Sequence, residues 1–235
     1  MKVIAREGAW ASSYFRTAIN HCIEVDKLLS RIFTTDNLSE HIMIDECMNE
    51  AGAITIVFSA MCIEAYMNDY LAQEMGESTF YKHHERESSG QKLDRVLGSK
   101  TLPGKENVKS TVMNLFTDRN SLVHAKSHDI SYESIVDEPL LEANGVEDCP
   151  ATTYWRDYCA RYALRANQAI CAVLLLSEYM QRKDPSFRTD ASLLGLNAIP
   201  FLSMEIINKI RSLCGTLGIN IPIRSECTSP VEDIT

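Results

Sequence analysis

Two short runs carry side chains that could do chemistry. The first, "RNSLVH", holds Arg119, Asn120 and His124. A guanidinium is a rigid fork of donors that suits a carboxylate or a phosphate, and an imidazole moves protons near neutral pH. The second, "FSAMCIEAYMNDYL" (58–71), holds Glu64 and Asn68 among apolar residues. Spacing decides whether such groups can meet.

On a helix of roughly 100° per residue, Val108, Val112, Leu115, Phe116, Leu122 and Val123 form one apolar stripe with Arg119 at its centre. His124 lies roughly 140° from Arg119, at the edge of the stripe, with Asn120 between them. In the upstream helix, Val57, Ala60, Met61, Met67 and Leu71 fall within about 60° of Glu64, and Asn68 about 40° from it. A charge centred on a core-facing stripe needs a partner, because an unpaired buried charge is very costly. The two faces are therefore expected to pack together, with Glu64 pairing with Arg119 or with polar atoms beside it. Such a pair can be purely structural, or it can line a cleft with His124 at its mouth.

These runs sit in a chain with helical periodicity almost throughout. Helices are predicted over about 8–33, with Trp10, Tyr14, Ala18, Cys22, Val25 and Leu29 on one face, and over about 39–75, ending near Gly76. Residues 76–90 read as a polar loop, followed by a short helix over about 90–98, a Gly/Pro turn at 98–105 and the Arg119 helix over about 105–127. An acidic, broken connection (128–152) leads to a long helix over about 152–182, which Thr152 or Thr153 could cap. A second connection precedes a last helix over about 200–215, and "GINIPI" (218–223) is a weak strand candidate. The fold class expected is all-α: a bundle over 1–183, with 184–235 as a helical extension and tail of the same domain.

The formal net charge of −9 excludes a globally basic nucleic-acid binder. Locally the balance reverses: residues 92–128 hold seven Lys/Arg against three acids, a net of +4. Lys105, Lys109 and Lys126 are the candidates to draw a polyanion there. The eight cysteines form no C-x-x-C pair, which argues against zinc and against a disulfide framework, and no metal or other cofactor is expected. The run 169–177 is too short to span a bilayer, and no signal-like run opens the chain, so a reduced, cytoplasmic protein without membrane contact is expected. His83 and His84 read as an exposed loop pair. Tyr154, Trp155, Tyr158 and Tyr162 recur at helical spacing and read as core packing or a dimer face.

Arg119 and His124 with four residues between them, preceded by the apolar-Glu-Ala-aromatic-x-Asn pattern of 58–71, resemble the signature of the HEPN domains (higher eukaryotes and prokaryotes nucleotide-binding). The order of elements is also similar over about 8–183: a long patterned helix, a variable insert, then the Arg-Asn-x-x-x-His helix. The resemblance implies an up-and-down HEPN-type bundle, often a homodimer, and a metal-independent endoribonuclease of the kind found in toxin–antitoxin and antiphage systems. It assigns the catalytic roles to Arg119 and His124, with Asn120 beside them. Where some such toxins carry a tyrosine two residues after the histidine, this chain has Lys126.

The implied chemistry uses the nucleophile that RNA itself carries, the 2′-hydroxyl. His124 would take its proton or protonate the leaving 5′-oxygen, and Arg119 would hold the scissile phosphate. The products would be a 2′,3′-cyclic phosphate and a 5′-hydroxyl. Two Arg119/His124 pairs facing each other across a dimer would supply both acid and base. The expected partners are RNA, a second copy of the chain, and an antitoxin or regulatory protein. The alternatives are a catalytically silent HEPN fold that binds RNA or protein, and an unrelated helical scaffold in which Arg119 serves only stability.

Overall fold

The computed structural model describes residues 10–35, 37–99, 102–124, 150–184 and 203–221, with side chains of the long helix from Cys159 onward. Among these residues it is all-helical: α1 Trp10–Ile32, α2 Leu38–Met75, α3 Glu77–His83, α4 Ser89–Leu97, α5 Lys105–Val123, α6 Pro150–Lys183 and α7 Met204–Leu217. The all-α expectation holds.

α2 is the axis of the fold. It runs for 38 residues and packs against α1, α3, α4, α5 and α6. Asn37 starts it, accepting hydrogen bonds from the N–H groups of Ser39 and Glu40. Gly76 ends it at φ 85°, a backbone conformation that only glycine adopts readily. By length and composition α2 could also cross a bilayer; here 56% of its apolar window is buried inside the protein. Ile56, Ala60, Ile63, Tyr66, Met67 and Leu71 form the middle of the core, joined by Phe15, Ala18, Ile19 and Cys22 of α1 and by Ala166, Ile170, Val173 and Leu174 of α6. Gly52 lets α6 approach closely: a Cβ there would stand 3.3 Å from the Tyr162 ring. Tyr162 therefore packs on the core, whereas the side chains of Tyr154, Trp155 and Tyr158 lie outside the described residues.

Several local expectations need correction. The polar run after Gly76 is no loop at first: Glu77–His83 is helical because Phe80, 1% exposed, docks it on the core. Trp10 leaves the α1 stripe, 64% exposed, stacked on Tyr14 with ring centroids 6.0 Å apart. Val123 is likewise exposed, because α5 ends there. The weak strand candidate forms no strand over its described residues. Gly218 adopts the left-handed conformation after α7, and the N–H of Ile219 returns to the Cys214 carbonyl, a Schellman-type end that turns the chain off the helix.

α4 starts with a reciprocal cap. Ser88 Oγ accepts from the Gln91 N–H, and the Gln91 side chain accepts from the Ser88 N–H. We expect Ser88→Ala to lower stability by about 1 kcal/mol, read as a shift in the denaturation midpoint.

Candidate functional site

Glu64 and Arg119 meet across the α2–α5 contact. Arg119 Nη2 donates to Glu64 Oε1 at 2.9 Å and Nη1 to Oε2 at 3.3 Å, a bidentate pair with side chains 20% and 28% exposed. Burial of Val108, Val112, Leu115 and Phe116 fixes the face that α5 turns to the core, and Arg119 follows from their spacing. Its guanidinium also lies over the Phe116 ring, 5.8 Å from the centroid. The Nε–H is buried with no acceptor among the described residues.

A third element joins them. Ser89, the first residue of α4, donates its hydroxyl to Glu64 Oε1. One turn further along both helices, Lys92 donates to Asn68 Oδ1 at 2.9 Å and to the Glu85 carbonyl at 2.7 Å. Lys92 is only 8% exposed, and its ammonium also rests over the Phe80 ring. Glu64 and Asn68 thus hold Arg119, Ser89 and Lys92 in one polar seam between α2, α4 and α5. Ser89 and Lys92 were missed as site residues from the sequence. Their signal was present, since Ser89, Lys92, Leu93 and Val96 share a helical face.

His124 closes α5. Its N–H donates to the Asn120 carbonyl at 2.9 Å, its backbone (φ −109°, ψ 17°) has left the helix, and both it and Asn120 are exposed. Arg119 therefore faces the seam, and His124 stands at the open end of the same helix. The cations expected to draw a polyanion are occupied within the chain. Lys105 donates to the Gly98 carbonyl, and Lys109 pairs with Asp94 at 2.6 Å. Arg95 pairs with Glu87, so each of the five described Lys/Arg of 92–124 has a partner within the chain. Lys126 lies outside the described residues.

The insert histidines are not a simple exposed pair. His83 is exposed, but His84 lies half-buried with Nδ1 2.9 Å from Glu87 Oε1. Arg95 grips the same carboxylate through Nε at 2.8 Å and Nη2 at 2.7 Å. Hydrogen bonds from Arg95 and then His84 hold the Glu87 carboxyl down at about 2. A folded-state value below the unfolded one adds stability above the ordinary carboxylate range and loses it as pH falls through the folded value. We expect wild type to lose stability relative to Glu87→Gln between about pH 4.5 and about 2, measured as the difference in their melting temperatures.

A separate open cleft lies between α1 and α7, lined by Ile23, Asp26, Lys27, Ser30, Glu205 and Lys209. Its charges are paired across it, Lys209 with Asp26 and Lys27 with Glu205 at 2.8 Å. No residue of the Arg119 seam lines it. Among the described residues no three His, Cys, Asp or Glu side chains group as metal ligands. The chain matches no protein-family model, no curated protein and no solved structure.

Proposed function

We propose that this chain is a HEPN-type, metal-independent endoribonuclease that cleaves RNA by 2′-hydroxyl attack at a site shared by two copies. Its setting would be toxin–antitoxin or antiphage defence, with an antitoxin or regulatory protein as a further partner and the cytoplasm as its compartment. The observation that carries the reading is the placement of Arg119. Two of its five N–H groups are given to Glu64, which fixes the plane of the fork, and other donors remain for a phosphate oxygen. His124 stands exposed at the end of the same helix, where a substrate can reach it.

A second reading, a silent HEPN-fold module that binds RNA or protein, draws on a different observation. Every described cation of the basic segment already has a partner in the chain. The test is incubation of the purified protein with labelled RNA in excess chelator, followed by analysis of the new ends. Fragments ending in 2′,3′-cyclic phosphate support the nuclease. Binding without cleavage, weakened by Lys105→Ala or Lys109→Ala, supports the module.

A further inference from the structure

We infer that Ser89 is a positioning residue for the phosphate-holding fork of Arg119, acting through Glu64; the inference rests on the ribonuclease reading above. Ser89 Oγ and Arg119 Nη2 donate to the same oxygen, Glu64 Oε1. A glutamate has three side-chain torsions, and an arginine on a carboxylate can swing with it as a unit. Two donors converging on Oε1 from α4 and α5 remove that freedom and fix the carboxylate plane. The fork must then lie in the same plane to keep both its bonds.

The anchor itself is rigid. The reciprocal cap of Ser88 and Gln91 sets the first turn of α4. A Cβ on Gly90 would stand 3.5 Å from the Met113 side chain, so that turn lies directly against α5. Lys92 ties the next turn to Asn68 of α2, and Lys109 of α5 pairs with Asp94 of α4. The first turn of a helix also favours a nearby carboxylate, which strengthens the hold on Glu64. Ser89 touches no reacting atom. It sets the direction from which Arg119 offers its remaining donors, and direction matters most in the transition state.

The experiment compares Ser89→Ala, Ser89→Thr and Ser89→Asp with wild type and His124→Ala, reading kcat and KM for RNA cleavage alongside the melting temperature. Ser89→Ala is expected to lower kcat about ten- to hundredfold with KM and melting temperature little changed. Ser89→Thr, which keeps the hydroxyl, restores the rate. Ser89→Asp, which sets a second carboxylate against Glu64 to compete for the guanidinium, lowers it further. Wild-type kcat in Ser89→Ala, with His124→Ala inactive, overturns the inference and leaves the nuclease reading standing. A rate that falls only in step with melting temperature, without rescue by threonine, assigns Ser89 a structural role and overturns it too. No cleavage by wild type overturns both.

Discussion

His124→Ala is expected to abolish RNA cleavage and leave the fold intact. The side chain is exposed at the end of α5, and the hydrogen bond that closes the helix comes from its backbone N–H, which alanine keeps. Exposed positions of this kind change stability by less than about 0.5 kcal/mol. The imidazole, by contrast, is the proton-transfer group of the proposed reaction, and such groups contribute about 10²- to 10⁴-fold in rate. Cleavage of labelled RNA and thermal unfolding, measured on the same preparations, separate the two effects. Equal rates for wild type and variant would sink the nuclease reading.

The second large effect concerns Glu64 and Arg119, where stability and activity should part. Glu64→Ala removes both acceptors of the fork and the acceptor of Ser89, and leaves a partly buried guanidinium whose Nε–H already lacks one. We expect a loss of about 2 kcal/mol, less than for a fully buried pair because water still reaches the edge. Replacing both partners together, Arg119→Met with Glu64→Leu, removes the stranded charge as well. Apolar replacements of such pairs are often neutral or stabilising, by about 1–4 kcal/mol where they help. The double variant should therefore recover the stability lost by Glu64→Ala while cleaving no RNA. Denaturation of wild type, Glu64→Leu, Arg119→Met and the double variant closes the cycle and measures the coupling. Cleavage that survives in the double variant would remove Arg119 from the chemistry and leave it a strut.

The meeting of α2 and α5 was legible from the sequence because it follows from one rule. A charge at the centre of an apolar stripe must find its opposite, and Glu64 was the carboxylate on the other apolar stripe. The seven-residue α3 was not legible: a single buried side chain, Phe80, holds it, and one apolar residue in a polar run has no period. Trp10 and Val123 failed for a related reason. Both sit at helix ends, where the stripe continues in sequence after the neighbouring helix has stopped covering it. Counting charges along 92–128 could not anticipate that Arg95 and Arg119 spend themselves on Glu87 and Glu64, acids outside the counted window. Ser89 shares the α4 face of Lys92, Leu93 and Val96, but the periodicity of that face does not name the carboxylate that its hydroxyl meets.

The continuity of α2 has a consequence for how the molecule moves. One unbroken helix, roughly 57 Å long at 1.5 Å per residue, carries the α1–α6 contacts along its length and the α3–α4–α5 cluster toward its C-terminal end. Neither group owns a private core that could stay ordered while the other melts. Local opening should therefore begin at the edges, in α3 and at the end of α5, and stop at α2. The seam around Arg119 lies between that axis and two helices tied to it and to each other through Ser89, Lys92 and Lys109. A substrate or a second copy of the chain would therefore meet α4 and α5 as one unit with α2.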